Sequence, residues 1–135
     1  MRKLVVFLLT LFVFSCSVDD NNDVTHFELL PVEDALVPNE FERGETYEIT
    51  VYYIRPSSCH AYNDIYYIRE SNERTVAVMT TVYQNTNGCE TISDELDATF
   101  EFRAGNLDSY IFKFWQGEDD NGEDQYLIIE VPVID

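Results

Sequence analysis

Few residues of this chain are suited to nucleophilic or metal chemistry, because the sequence has only two histidines and three cysteines. Cys59 and His60 are neighbours and have the chemistry of a nucleophile and its base. Adjacent side chains in an extended segment point to opposite sides, however, so we expect no hydrogen bond between them. A zinc site made by these two residues with Cys89 and His26 would lack the short-spaced ligand pairs typical of such sites. The sequence therefore predicts neither a reactive cysteine nor bound zinc.

Motifs of the common enzyme classes are also missing from the sequence. It contains no phosphate-binding loop, no recognisable Ser-His-Asp arrangement and no carboxylate pair at a catalytic spacing. We therefore predict that the protein is not an enzyme and needs no cofactor.

An acidic segment near the C-terminus, residues 117–124, is the best candidate for metal binding. It holds five carboxylates within seven residues, and Ca²⁺ prefers several such oxygen ligands on a flexible loop. It does not follow the EF-hand pattern, since aligning Gly122 with the invariant glycine places Ile128 where a bidentate glutamate belongs. We favour a solvated hairpin turn in which Asn121 and Gly122 adopt positive φ angles. The weak calcium candidates are Glu118, Asp119, Asp120 and Asp124.

Tyrosines are concentrated between residues 52 and 67. Tyrosine suits recognition surfaces, because its ring is amphipathic and has few rotatable bonds to immobilise. Alternate tyrosines in paired strands more often pack in the core or across strands, so we expect about half of these to be buried. The candidate binding face, for a protein or a glycan, consists of Tyr52, Tyr62 and Tyr66.

The segments that must position these residues alternate between apolar and polar side chains, which is typical of half-buried strands. In the clearest one, Tyr47, Ile49, Val51 and Tyr53 fall on one face. Turn signals such as Asn87-Gly88 separate the segments, and no strong amphipathic helical pattern occurs. The predicted strands lie within 45–54, 75–83, 96–102, 110–115 and 126–131, with weaker candidates at 64–69 and at 27–30 together with 35–37.

Seven short strands at regular spacing predict an all-β fold: a single antiparallel, immunoglobulin-like β-sandwich of about seven strands over residues 26–135. The segment Leu107–Phe112 resembles the tyrosine corner of immunoglobulin-like domains, and this resemblance implies that Tyr110 lies early in the sixth strand. A small antiparallel barrel is the alternative architecture.

The N-terminus has the layout of an export signal. Arg2 and Lys3 precede eleven uncharged, mostly apolar residues, 4–14, which are too few to span a bilayer but suit the apolar region of a signal peptide. The run ends at Val13-Phe14-Ser15-Cys16, which resembles the lipobox of bacterial lipoproteins. That resemblance implies cleavage after a signal peptide of residues 1–15 and fatty acylation, such as palmitate, at Cys16. Two or three acyl chains would anchor the protein stably to a membrane.

Residues 16–25 are polar and acidic and cannot bury enough apolar surface to fold, so we predict a disordered tether. The tract Ser17–Asp23 resembles the acidic segment that follows the lipidated cysteine in surface lipoproteins of the Bacteroidota. This resemblance implies an outer-membrane location, on the cell surface rather than on the periplasmic face.

An exported location makes a disulfide the simplest state of the other two cysteines. Cys59 and Cys89 form an even pair in polar connections, and disulfides persist in oxidising compartments. The bond would join the loop after the second predicted strand to the loop after the fourth.

The net charge limits the partners. Removing residues 1–15 takes away two of the eight basic residues and none of the 26 acidic ones, which leaves a formal charge of −20. Such a chain repels nucleic acid and favours cationic partners. We therefore predict a lipid-anchored, non-catalytic binding or structural module of the cell envelope. The alternative is a periplasmic accessory or inhibitor protein that binds a basic partner.

Overall fold

A computed structural model describes residues 25–84 and 87–135. These residues form nine strands and no helix, so no helix of the described part of the chain is long and apolar enough to cross a membrane. The predicted signal peptide, Cys16 and nearly all of the predicted tether lie outside the described residues. The strands are β1 (Thr25–Leu30), β2 (Asp34–Leu36), β3 (Phe41–Glu42), β4 (Thr46–Ser57), β5 (His60–Glu70), β6 (Glu73–Tyr83), β7 (Thr91–Arg103), β8 (Ser109–Glu118) and β9 (Asp124–Ile134).

The strands form a six-stranded sheet and a three-stranded sheet. In the larger sheet β6 is central: β5 pairs along one edge, and β1 and β8 share the other edge, followed by β9 and β3. The smaller sheet has the order β2-β4-β7 and is antiparallel throughout. The all-β, sandwich-like arrangement with mostly antiparallel strands confirms the predicted fold class at this level.

The strand count and two of the pairings differ from the prediction. All seven predicted segments lie in strands, but the first is divided, because Pro31 lacks an N–H for the ladder and the chain then crosses from β1 in the larger sheet to β2 in the smaller one. The two-residue β3 is additional. The sheet is not purely antiparallel, since β3–β9 and β6–β8 are parallel. The β6–β8 pair is parallel because β7 crosses to the other sheet between them.

The core lies between the inner faces of the two sheets, as the alternation predicts. In β4, Ile49, Val51 and Tyr53 are buried and Tyr47 is half-buried, which confirms the predicted inner face. The larger sheet supplies alternate residues of β6, β8 and β9 to the same core, which include Val76, Val78, Tyr110, Phe112, Phe114 and Val131. Leu96 of β7 is an exception at 38% exposed, because the first half of that strand extends past the core.

Tyr110 ties the start of β8 to the preceding connection. Its hydroxyl accepts a hydrogen bond of 2.8 Å from the N–H of Gly105, five residues upstream. The ring is 3% exposed and packs edge-on against Phe102 and Phe41. A Cβ on Gly105 would lie 3.0 Å from the hydroxyl oxygen, so a larger residue there would have to displace the ring of Tyr110 slightly. The expected position of Tyr110, early in the strand, is confirmed.

The predicted disulfide between Cys59 and Cys89 is present. Cys59 is buried in the turn between β4 and β5, and Cys89 precedes β7. Two hydrogen bonds of 2.9 Å reinforce this connection. The N–H of Ser58 donates to the carbonyl of Glu90, and the N–H of Glu90 donates to the hydroxyl of Ser58. The bond therefore fixes one end of the sandwich, at the two connections named in the prediction.

Replacing Tyr110 by Phe should destabilise the domain by about 1–3 kcal/mol, because the half-buried Gly105 N–H loses its acceptor. Urea unfolding followed by tryptophan fluorescence measures this loss. Tyr83→Phe, at an exposed ring, is the matched control and should change stability little. Equal stabilities of the two variants would contradict a structural role for the Tyr110 hydroxyl.

Replacing both Cys59 and Cys89 by Ala should lower the free energy of unfolding by about 3–4 kcal/mol in the chain-entropy model, since the bond closes a loop with a sequence separation of 30. The measurement is the urea midpoint of the variant against the wild type under non-reducing conditions. Adding a reductant should shift the wild type toward the variant and leave the variant unchanged. A wild type insensitive to reduction, with an intact mass showing two free thiols, would rule out the bond.

Candidate functional site

The three tyrosines of the predicted binding face lie on three different surfaces, so that prediction is wrong as a single face. Tyr52 follows the buried Val51 and therefore points outward from the smaller sheet. Tyr62 is opposite the buried Thr80 and points inward, while Tyr66 is opposite Ala77 on the outer face of the larger sheet. A register shift between Tyr62 and Asp64 separates the last two, because a β-bulge inserts one residue and reverses the alternation.

Tyr62 and Tyr67 point from the larger sheet toward the smaller one, and each packs against an aromatic ring of that sheet. The Tyr62 ring lies 6.4 Å from that of Tyr53, and Tyr67 packs edge-on against Phe100 at 5.9 Å. Burial raises the pKa of Tyr53, Tyr62 and Tyr67, and for Tyr67 the nearby Arg74 partly opposes this rise. The hydroxyls therefore stay protonated at neutral pH.

Tyr66 does take part in a cavity, on the outer face of the larger sheet. The central strand β6 presents the small residues Thr75 and Ala77 to this face, and the flanking strands present large ones. The result is a depression of about 210 Å³, which we call the aromatic groove. Its lining consists of Leu29, Tyr66, Thr75, Ala77, Trp115, Asp124 and Tyr126.

Polar contacts hold two of the aromatic rings in place. The indole N–H of Trp115 donates to Oδ1 of Asp124 at 3.0 Å. The ammonium group of Lys113 lies 4.6 Å from the ring centroid of Tyr126, within the range of a cation–π contact. The groove therefore offers positioned aromatic surfaces beside a carboxylate, and sequence reasoning missed Trp115, Tyr126 and Asp124 because they become neighbours of Tyr66 only through strand order.

The apolar character continues beyond the groove on the same face. Ile68, Thr75, Lys113 and Ile128 form a row across β5, β6, β8 and β9. Ile128 is 60% exposed, and Phe27, on β1, is 68% exposed. These side chains add separate exposed apolar positions to the face that holds the groove.

His60 joins two polar side chains, an arrangement that sequence reasoning missed. Its Nδ1 lies 2.6 Å from the hydroxyl of Ser57, and its Nε2 lies 2.7 Å from Oε2 of Glu28. The order resembles a Ser-His-acid triad, but the Ser57 hydroxyl also accepts the Cys59 N–H at 3.2 Å, and no residue of the three lines the cavities described here. We interpret it as a clamp between the β4–β5 turn and β1. The predicted absence of a Cys59–His60 dyad fits the disulfide, which leaves no thiolate.

The acidic loop between β8 and β9 uses its carboxylates internally. Oδ1 of Asp119 accepts the N–H groups of Asn121 and Glu123, both at 2.9 Å, and Asp124 is engaged by Trp115. Across residues 25–84 and 87–135, no group of three or more His, Cys, Asp or Glu side chains is placed to hold a metal ion. Glu118 and Asp120, the other weak calcium candidates, lie on the same hairpin. Of the two expected positive φ angles only that of Gly122, at 77°, is found.

Three arginines meet at the side where β5 and β7 face each other. Arg69, Arg74 and Arg103 line two adjoining cavities of about 360 and 480 Å³. We call this space the arginine cleft. Sequence reasoning missed it, because the register of the β5–β6 hairpin sets Arg69 opposite Arg74, and Arg103 belongs to a distant strand of the other sheet.

Comparison with known proteins gives this site no precedent. No family model matches the chain, and neither the curated proteins nor the solved structures show a significant match to it. Because a fold by itself does not define a function, the chemistry of the aromatic groove and of the arginine cleft has to carry the functional argument.

Proposed function

We propose that the chain is a lipid-anchored protein of the cell envelope whose sandwich is a non-catalytic binding module, with a glycan as the ligand of the aromatic groove. The single observation that carries the binding role is the convergence of Tyr66, Trp115 and Tyr126 beside Asp124 on an exposed sheet face. A sugar ring presents apolar C–H faces to aromatic rings and hydroxyls to a carboxylate, so it matches both components of the groove.

The size of the groove supports recognition of one ring at a time. Its volume of about 210 Å³ is below the range of roughly 300 Å³ and more that is usual for pockets that enclose a drug-sized ligand. Oδ1 of Asp124 is taken by Trp115, and Oδ2 makes no hydrogen bond within residues 25–84 and 87–135, which makes it the acceptor for a sugar hydroxyl. A longer chain of sugars would extend along the exposed row of Ile68 and Ile128.

The alternative, an accessory or inhibitor protein that binds a basic partner, is favoured by the outer face of the smaller sheet. Glu48 and Glu101 are directly opposite each other in the β4–β7 ladder, and Asp97 is opposite Tyr52 four residues further along. Like charges placed directly across strands cost stability, and a cationic partner would remove that cost.

One hydrogen bond supports an immunoglobulin-like sandwich, and one strand pair differs from that fold. The hydrogen bond from Gly105 to the Tyr110 hydroxyl, at the β7–β8 corner, is the contact that defines a tyrosine corner. The division of the first segment between the two sheets is compatible with such a fold. The parallel β6–β8 pair departs from it, because immunoglobulin-like sheets are antiparallel at the corresponding place.

Export and lipidation rest on Cys16 and can be tested in cells. Cys16→Ala should abolish incorporation of labelled palmitate and leave an unprocessed or soluble product, because the acyl chains are the proposed anchor. Protease shaving of intact cells, with and without outer-membrane permeabilisation, then locates the wild-type domain. Processing and membrane association of the variant as in the wild type would overturn the anchor. Protection of the wild type until permeabilisation would overturn surface display.

Glycan binding is tested by screening the full-length protein, in detergent, on a glycan array and titrating the bound sugars by calorimetry. Trp115→Ala should weaken binding at least about tenfold, since large aromatic side chains dominate such contacts. Asp124→Asn should weaken it less, because the amide oxygen still accepts the indole N–H. The control is Leu36→Ala, at an exposed residue of the smaller sheet. Absence of any bound glycan, or equal affinity of Trp115→Ala and the control, would contradict the proposal.

A further inference from the structure

Half of the basic side chains in the described part of the protein converge on the arginine cleft. Six basic residues remain there, since two of the eight in the sequence are Arg2 and Lys3. Arg69 comes from β5, Arg74 from β6 and Arg103 from β7, so three strands and both sheets contribute. Because the chain has 26 acidic residues and eight basic ones, its composition leads us to expect each arginine to pair with a carboxylate. Among the described residues, these three arginines do not.

Arg74 is a buried cation with only neutral partners. It is 5% exposed, and its Nη1 donates to the carbonyls of Ser71 and Glu73, both at 2.8 Å. Its guanidinium lies 5.1 Å from the ring centroid of Tyr110. The Nε atom is buried and has no hydrogen-bond partner, and no described carboxylate lies within ion-pair distance of the side chain. Burying a charge in this way is costly unless an opposite charge is supplied.

Arg69 adds a second positive charge to the same place. It is directly opposite Arg74 in the β5–β6 ladder, where like charges repel. Arg103 approaches from the other sheet, and its Nε donates to the carbonyl of Gly44 at 3.2 Å. The two acidic residues of the wider cleft, Asp64 and Glu101, form no ion pair with any of the three arginines.

We propose that the arginine cleft is a binding site for a small organic anion, whose carboxylate or phosphate group is held by Arg74 together with Arg69 and Arg103. Guanidinium groups bind such oxyanions through charge-assisted, often bidentate hydrogen bonds, which an ammonium group cannot reproduce. An anion in the cleft supplies the missing partner of Arg74 and removes the repulsion between Arg69 and Arg74.

The walls of the cleft define the rest of the ligand. Next to the arginines, the cavity of about 360 Å³ is lined by Ile65, Tyr67 and Phe100. This volume, and the 480 Å³ of the adjoining cavity, lie in the range of sites for small molecules. The ligand class is therefore an oxyanion attached to an apolar or aromatic body. The site is independent of the aromatic groove, which lies on the outer face of the larger sheet.

The test uses the full-length protein in detergent, with phosphate, acetate and benzoate as probes, followed by calorimetry and by the shift of the thermal unfolding midpoint. We expect saturable binding of phosphate and benzoate, with benzoate binding more tightly than acetate because its ring contacts the apolar wall. Arg69→Gln and Arg103→Gln should each weaken binding about tenfold, as expected for the loss of a charged hydrogen-bond donor. Both residues are exposed, so the variants should remain folded.

The matched control is Lys113→Gln, which removes the same charge outside the cleft and should bind the probes as the wild type does. Two results would overturn the proposal. One is the absence of saturable binding by all three probes. The other is an equal loss of affinity in Lys113→Gln and in the two arginine variants, which would indicate a general charge effect. Neither result depends on whether the aromatic groove binds a glycan.

Discussion

The packing of Phe102 against the rings of the opposite sheet is the contact on which the rest of the structure depends. Phe102 belongs to the smaller sheet, and its ring centroid lies 4.8 Å from Tyr110, 5.1 Å from Phe112 and 5.1 Å from Phe41. These are the spacings of favourable aromatic pairs. The cluster packs the end of β7 against the start of β8. It also positions the Tyr110 ring against the guanidinium group of Arg74. Tyr110 and Phe102 therefore belong both to the aromatic core and to the lining of the arginine cleft, and Tyr110 also makes the hydrogen bond to Gly105.

The alternation of apolar and polar residues was enough to predict where the chain is extended and which residues of β4 face the core. It could not predict strand neighbours, because a period of two assigns a face and says nothing about order. The aromatic groove and the clamp from Ser57 through His60 to Glu28 depend on that order, and the facing of Arg69 and Arg74 depends on the register of the β5–β6 hairpin. The tyrosine face was mispredicted for a more local reason: the bulge at Asn63 places Tyr62 and Tyr66 on opposite sides, and the prediction assumed an unbroken alternation.

The two candidate sites occupy different parts of the sandwich and use opposite chemistry. On the outer face, small residues on a central strand leave a small space between large aromatic ones, so the site suits a flat ligand. At the side where β5 and β7 face each other, three guanidinium groups line a larger space, so the site suits an anion. The surrounding acidic surface repels anions at long range, which restricts entry to ligands whose contacts inside the cleft are strong enough to compensate.

The long strand β7 has a further consequence. Among the described strands it is the edge of the smaller sheet, paired only with β4, and such edges present backbone groups that can pair with another molecule. Asp94, Glu95, Asp97 and Glu101 place negative charges along it. If two copies paired through their β7 edges, these negative charges would repel one another. The repulsion therefore disfavours self-association through this strand. Dense arrays of the protein should consequently stay soluble and separate, without the ordered aggregation to which exposed strands are prone.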